Sequence, residues 1–365
     1  RHMRRPNLET YMNIKVPNSL RSQAPEFWAV VERHQQLIAQ LIDERNELLS
    51  REFKFLIQYP DLLPFQLRLQ HFITMQSHKI RGEQISLKID RNRIIEDSMR
   101  QLLHYKRDQI FCTIKIKFVN EPGIDAGGLL KDWFTSLVKE LFNPNYALFS
   151  PSSNGRSNQP NPSSYVNKEH IRYFRFAGRI IARSIIEGIP VPAHFTRGFL
   201  KHIIGIKHNT LTDLEDADEQ LHDSFVWMLK KENDVTPLEM TFTADNDDIG
   251  VHKTIDLKEN GSNILLTNEN KEEYVRLMIQ HRLVSSISKQ TEAFVDGFYS
   301  VIPLDEIQMF KPDELNLVIC GIPEIDVEDF KKYCRYSRPY NKDHKVIKMF
   351  FNVISRWNMD DLALL

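Results

Sequence analysis

The chain has 365 residues, enough for one large or two medium domains at about 150 residues per domain. Its 48 lysine and arginine residues nearly balance its 49 aspartate and glutamate residues, which argues against an overall field that recruits nucleic acid or an anionic membrane. Cys112, Cys320 and Cys334 are too few and too scattered for a disulfide framework, which favours a reducing, intracellular compartment. No apolar run approaches the roughly 18 residues of a membrane span, and the N-terminus lacks the apolar core of a signal peptide.

The start of the chain predicts helices without a catalytic grouping. Residues 1–24 are polar and form an irregular lead-in, in which Arg1-His2-Met3 has the look of a cloning scar. From Pro25 to about Phe55, apolar residues recur at helical spacing and predict one long amphipathic helix, and residues 64–76 predict another. We interpret residues 25–80 as a helical extension that braces the next domain, with a regulatory or partner-binding arm as the alternative.

The middle of the chain alternates strand and helix patterns. Strands are predicted at residues 85–89 and 113–119, with a helix from Ile94 to Leu103 between them. The apolar stripe from Leu129 to Phe142 predicts a buried core helix, which Asn143-Pro144 ends.

Residues 150–219 mix loops and helices. Ser150 to Ser164 is rich in Ser, Asn, Pro and Gly, which predicts a surface loop. In the helix that follows, Gly178 suggests the close approach of a second helix, and Arg179 and Arg183 are assigned structural roles. Another helix is predicted over residues 196–204, and the acidic stretch Asp213 to Glu219 predicts a solvated connection.

Residues 220–282 have a different character. An apolar stripe from Leu221 to Leu229 predicts a helix, and Glu272 to Leu283 predicts another. Short strands are predicted between them at residues 238–242, 254–257 and 264–266, with a tight turn at Asn260-Gly261. These patterns predict a small α/β subdomain, after which amphipathic helices return from Ser285 onward.

Four phrases in order resemble the N-lobe of HECT-type ubiquitin ligases. They are SLKIDRNRIIEDSMRQL, DAGGLLKDWF followed by ELFNPNYALF, NPSSYVNKEHIRYFRFAGR, and DLKENGSNILLTNENKEEYV. The resemblance implies a mainly α fold with small β elements (α+β) and a bilobal N-lobe. Its large helical subdomain would comprise residues 81–218 and 283–365, and its small α/β subdomain, which binds the conjugating enzyme, residues 219–282.

The resemblance also implies partners and site residues. An apolar groove would receive a loop phenylalanine of a ubiquitin-conjugating enzyme, and the matching residues are Leu221, Phe225, Met228, Leu238, Met240 and Tyr274. Lys231 stands where several relatives have an aromatic residue, so the preferred enzyme stays open. Tyr146 matches a tyrosine that holds non-covalent ubiquitin in some relatives, whereas Ile249 replaces the other aromatic residue used there. Protein substrates complete the partners; no cofactor, metal, nucleic acid or membrane is implied.

Catalysis in the family uses a C-lobe cysteine within a His-Thr-Cys-Phe-Asn phrase, which this sequence does not contain. We therefore expect no catalytic residue here, the nucleophilic cysteine beyond Leu365, and no transthiolation by this chain alone. One alternative is a non-catalytic helical scaffold or adaptor that acts through residues 25–76. Another is a thiol hydrolase built on Cys320 or Cys334 with one of thirteen histidines. The expected location is intracellular, in the cytoplasm, with the nucleus also open.

Overall fold

The computed structural model describes residues 22, 24–57, 59–102, 111–121, 128–248, 251–321 and 340–357, together with positions 327, 330, 331, 334 and 336. These residues form mainly helices and three two-stranded sheets, in agreement with the predicted fold class. The chain divides into two compact units, residues 1–319 and residues 320–365.

Helices account for most of the regular structure. In chain order they are α1 (Pro25–Arg33), α2 (Gln35–Glu44), α3 (Lys54–Ile57), α4 (Phe65–Ser77), α5 (Ile94–Leu102), α6 (Gly128–Leu141), α7 (His170–Glu187), α8 (Arg197–Ile203), α9 (Leu211–Ala217), α10 (Glu219–Leu229), α11 (Lys271–Leu283), α12 (Ser288–Tyr299), α13 (Leu304–Ile307), α14 (Pro312–Cys320) and α15 (Lys345–Ile354). Strand β1 (Arg81–Ile89) pairs parallel with β2 (Cys112–Phe118). Strand β3 (Phe149–Pro151) pairs antiparallel with β4 (Asn158–Pro160), and β5 (Thr243–Asp248) with β6 (Val251–Asp256).

The single long helix predicted at the start of the chain is wrong. The helix is interrupted at His34, with φ −111° and ψ 14°, and ends at Arg45, with φ −134° and ψ 78°. The ring centroids of Phe27 and Phe55 lie 5.3 Å apart, whereas 28 residues of straight helix would separate the two positions by about 42 Å. The chain folds back because the aromatic rings, with Trp28 among them, remove apolar surface from water when they pack together.

Helix α4 is anchored to the segment that contains α13 and α14. The guanidinium of Arg68 is buried and donates hydrogen bonds of 2.6 and 2.7 Å to the carboxylate of Glu314. The amide of Gln76 and the ammonium of Lys79 both donate to Glu306. These bonds tie residues about 230 positions apart into the same unit.

Helices α7 and α12 pack closely through two glycines, as predicted for Gly178. A Cβ atom at Gly178 would lie 2.0 Å from the carbonyl oxygen of Phe294, and one at Gly297 would lie 1.9 Å from that of Arg175. Only hydrogen fits at either position. Arg183 is buried, as its structural assignment requires, and donates to the carbonyl of Cys112 at 2.9 Å and to Glu187.

The predicted surface loop at residues 150–164 is partly wrong. It contains one strand and most of another, and Ser152, Ser157 and Ser164 are buried. Burial is tolerated because the hydroxyls have partners. Ser157 donates to a carboxylate oxygen of Asp216 at 2.9 Å, and Ser164 accepts a 3.1 Å bond from the amide of Gln290.

The predicted solvated connection at residues 213–219 is also wrong. Asp213 is fully buried within α9, where its carboxylate contacts the ammonium of Lys201 at 2.5 Å and the guanidinium of Arg197 at 3.2 Å. Leu214 and Ala217 enter the interior from the same helix. Most of the acidic run is therefore part of α9, and the charge of its buried Asp213 is neutralised by two cations of α8.

Residues between Leu211 and Val284 build a separate apolar cluster, called here the second core. The predicted strand at residues 238–242 is wrong because Thr236–Leu238 forms a 3₁₀ turn and Glu239 adopts a left-handed backbone conformation with φ 50°. The predicted strand at residues 264–266 is reduced to an isolated bridge between Thr241 and Leu265. The regular ladder of this region is β5 with β6.

Candidate functional site

An open cavity of about 600 Å³, called here the apolar groove, lies on the second core between α10, α11 and the segment that enters β5. Five of the six residues predicted for conjugating-enzyme binding line it: Leu221, Phe225, Met228, Met240 and Tyr274. The sixth, Leu238, is outside the lining and lies on the adjacent 3₁₀ turn with 43% of its surface exposed.

The floor of the apolar groove is part of the second core. Phe225, Met228 and Tyr274 expose 1%, 7% and 2% of their surfaces. The ring of Tyr274 meets Phe225 edge-on at 6.3 Å and Phe242 at 5.5 Å between centroids. Burial, with a contribution from the carboxylate of Asp245, raises the pKa of Tyr274. These aromatic residues therefore both hold the fold together and shape the groove.

The rim of the apolar groove is mixed and more acidic than basic. Leu221 is half-buried, and the lining includes the carboxylates of Asp218, Glu239 and Asp245 beside the guanidinium of Arg282. Arg282 contacts Asp218 at 3.2 Å, which leaves two acidic side chains in excess. Sequence reasoning missed this rim because the fold, and not a sequence pattern, brings Asp218 at the start of α10 beside Glu239 and Asp245.

Local interactions explain why α10 presents this face. The side chain of Asp218 accepts a 3.1 Å bond from the backbone N–H of Leu221 and so caps the helix start. At the other end, the buried ammonium of Lys271 donates to the carbonyls of Lys230 and Asn233. Both ends of α10 are thus fixed, and its apolar side faces α11.

The chain around Phe242 is held by the Asn260-Gly261 turn. A Cβ atom at Gly261 would lie 2.3 Å from the carbonyl oxygen of Phe242, so the turn requires glycine there. The ammonium of Lys258 lies 3.9 Å above the Phe242 ring. This packing places Phe242 directly beneath Tyr274 in the second core.

Tyr146, the candidate ubiquitin-binding residue, does not line the apolar groove. It lies in the 3₁₀ turn Pro144–Tyr146, where its hydroxyl donates to Glu96 at 2.9 Å and its ring meets Tyr173 edge-on at 5.7 Å. Burial and the bond to Glu96 raise the pKa of Tyr146 above its ordinary value. The hydroxyl of Tyr146 therefore already donates its hydrogen to a group within the protein. Ile249 lies outside the described residues.

Cys112, Cys320 and Cys334 are thiols rather than parts of disulfides; Cys112 is buried, and Cys320 and Cys334 are partly exposed. In the described ranges, no group of three or more histidine, cysteine, aspartate or glutamate side chains is placed to hold a metal ion. Likewise, none of the described helices is long and apolar enough to cross a membrane.

Comparisons with known proteins point to one family. The family model described as HECT-domain (ubiquitin-transferase) matches residues 135–365. The chain is 36% identical over 347 residues to the E3 ubiquitin-protein ligase TOM1-like of Neurospora crassa, a match that covers 93% of the chain and 8% of the relative. It is 35% identical over 358 residues to the E3 ubiquitin-protein ligase HUWE1 of Mus musculus, covering 96% of the chain and 8% of the relative. It is 34% identical over 349 residues to the E3 ubiquitin-protein ligase UPL2 of Arabidopsis thaliana, covering 92% and 9%. The chain thus spans less than a tenth of the length of these curated relatives.

Proposed function

Because the chain belongs to the HECT-domain family of ubiquitin transferases, we propose that its apolar groove docks a ubiquitin-charged conjugating enzyme. The proposal rests on one observation: five of the six residues predicted to bind the enzyme line the same cavity. Two of these five are the buried aromatic residues Phe225 and Tyr274. The whole protein would then pass ubiquitin through a cysteine outside these 365 residues to a lysine of a protein substrate. The three cysteines, present as thiols, fit the cytoplasm or nucleus as its compartment.

The shape and charge of the apolar groove suit a small transient interface. A partner aromatic side chain that fills it would bury about 150–250 Å², which stabilises the complex by several kcal/mol before the cost of immobilising both partners. Affinity in the micromolar range follows. The acidic excess at the rim favours an enzyme with basic side chains beside its apolar anchor, since complementary charge speeds encounter and rejects wrong partners.

The test is a titration of the chain with a panel of conjugating enzymes. Alanine at Phe225 or Tyr274 would leave a cavity in the second core at a cost of about 3–5 kcal/mol, so lost binding would be ambiguous. Leu221 and Met240 are half-buried at the groove's edge, and Leu221→Asp and Met240→Asp place a charge where the apolar anchor would sit. We expect each variant to weaken binding about tenfold or more, the effect of some 1.4 kcal/mol. Because both side chains also pack against the second core, binding is measured at a temperature at which a circular-dichroism melt shows each variant folded.

The alternative of a helical scaffold has its own supporting observation. Phe27, Val30 and Leu37 are 48%, 57% and 53% exposed and form an apolar stripe along α1 and α2. Leu37→Asp is therefore a matched variant. Docking through the apolar groove predicts that the groove variants lose enzyme binding and that Leu37→Asp keeps it. The scaffold alternative predicts that Leu37→Asp loses binding and that the groove variants keep it. Absence of binding across the panel by the parent chain would refute the docking proposal.

The proposed lack of transthiolation is tested with the same reagents. Incubation with a charged conjugating enzyme should give no reducible ubiquitin adduct on this chain. An adduct that disappears in Cys334→Ser or Cys320→Ser would contradict the proposal and favour thiol chemistry within the chain.

A further inference from the structure

A second open cavity, of about 490 Å³, lies along α7 and uses none of the residues of the apolar groove. Lys168, Arg172, Arg175 and Arg179 all line it. Their spacing of four, three and four residues puts them on one face of α7 and of the turn that precedes it. The four cations therefore form a continuous strip, called here the basic groove, on a chain whose net charge is only −1.

Two of these cations have exposed carboxylate partners. Arg172 contacts Glu169 at 2.9 Å, and Arg175 contacts Asp296 of α12 at 2.8 Å. In both pairs each side chain is more than half exposed, so water and salt screen the attraction and a competing carboxylate can displace it.

The other two cations are less compensated. Within the described parts of the chain, neither Lys168 nor Arg179 has a carboxylate at ion-pair distance; Arg179 instead donates to the hydroxyl of Ser300 at 3.3 Å. Burial and the neighbouring charge of Arg175 lower the pKa of Arg179. The two ends of the basic groove therefore carry less compensated positive charge than its middle, and at Arg179 that charge is partly shielded from water.

The bottom of the basic groove is apolar. Ile171 is half-buried and Phe176 is 2% exposed, and both line the cavity between the charged side chains. A ligand here would meet cations at the sides and hydrocarbon beneath.

We propose that the basic groove binds an acidic peptide segment with apolar residues between its carboxylates, supplied by a partner protein. Arginine presents paired N–H donors that match a carboxylate. Arg172 and Arg179 are separated by about 10 Å along the helix axis, the reach of three to four extended residues, so alternate side chains of a strand-like peptide meet successive cations. Nucleic acid fits less well, because its phosphates would leave the apolar floor formed by Ile171 and Phe176 without an apolar partner.

The probe for this proposal is a fluorescein-labelled peptide of alternating glutamate and leucine, about eight residues long and so able to cross the groove in extended form. A glutamine-for-glutamate peptide is its control. We expect fluorescence anisotropy to show binding of the glutamate peptide only, and weaker binding as salt rises. The double variant Lys168→Glu, Arg172→Glu should bind about tenfold more weakly, since two attractions become repulsions.

The matched control is Lys131→Glu, Lys139→Glu, which makes the same charge change on exposed positions of α6 and should shift affinity by no more than about twofold. Asp296→Asn removes the carboxylate that competes for Arg175 and should tighten binding by about two- to threefold, which a damaged protein cannot do. Equal loss in both double variants, equal binding of the two peptides, or no tightening in Asp296→Asn would overturn the proposal. So would variant-dependent binding of duplex DNA or phosphatidylserine vesicles in place of the peptide.

Discussion

Replacing Arg68 with methionine removes the buried ion pair that joins α4 to α14. The guanidinium is 2% exposed and bonds to Glu314, to the carbonyl of Leu63 at 3.0 Å and to the carbonyl of Met309 at 2.5 Å. Methionine keeps the apolar stem but leaves a carboxylate and two carbonyls without these donors. Breaking a buried pair costs about 3–5 kcal/mol. Because the Glu314 side chain is 17% exposed and water reaches it, we expect about 3 kcal/mol. For a chain of 365 residues, this corresponds to a melting temperature lower by roughly 4 °C.

The assay is urea and thermal unfolding followed by circular dichroism, with Lys311→Gln as the control. Lys311 pairs with Asp61 between the same two segments, but these side chains are 46% and 63% exposed, so its loss should cost under about 0.5 kcal/mol. Adding Glu314→Leu to Arg68→Met should restore part of the stability, since no unpaired carboxylate then remains. Equal losses in the two single variants, or a loss below about 0.5 kcal/mol for Arg68→Met, would refute the reasoning.

Three further predictions concern packing, pH and thiol access. Gly178→Ala, whose added methyl would lie 2.0 Å from a carbonyl oxygen, should lose at least about 2 kcal/mol; Gly198→Ala, with its nearest atom at 3.5 Å, should be close to neutral in the same unfolding assay. Burial alone raises the pKa of Asp213, but bonds from neighbouring cationic and hydroxyl groups outweigh it and hold that pKa below its ordinary 3.8. The ionised Asp213 therefore stabilises the fold above pH 3.8, and this stabilisation is lost as the pH falls through the lower folded pKa. The stability of Asp213→Asn should lack this loss at acid pH. The same fall in stability with pH in the variant and the parent protein would contradict the prediction. A thiol reagent should modify Cys334 in the native protein but Cys112 only after unfolding, because Cys112 is 1% exposed.

The sequence correctly predicted helices and strands whose pattern lies within one stretch of chain. It failed where contacts between distant residues determine the structure. Helix α6 has a wide apolar stripe and a proline stop, and both are visible within one stretch of chain. The fold-back between Phe27 and Phe55 depends on a contact between residues 28 positions apart, which helical spacing cannot reveal. The burial of Asp213 could not be predicted for the same reason, because the cations that neutralise it, Lys201 and Arg197, lie on another helix.

The two grooves differ in how far sequence could find them. Helical spacing placed Leu221, Phe225 and Met228 on one face of α10, but only the family resemblance joined them to Met240 and Tyr274. The basic residues of the basic groove recur every three or four positions, so the sequence places them on one face once the extent of α7 is known. The sequence does not show the position of Asp296 on α12 or the apolar floor, and the proposal of a peptide ligand rests on that floor.

In the docking proposal, the residues at the floor of the apolar groove serve both binding and folding, whereas those at its rim serve binding alone. Phe225 and Tyr274 are 1% and 2% exposed within the second core, so a substitution there changes the stability of the groove's floor as well as its contact surface. Glu239 and Asp245 line the rim and are exposed, so substitutions there cost little stability. Because rim charges mainly set association rate and partner choice, the docking proposal predicts that preference among conjugating enzymes depends on the rim, while the capacity to bind any of them depends on the floor.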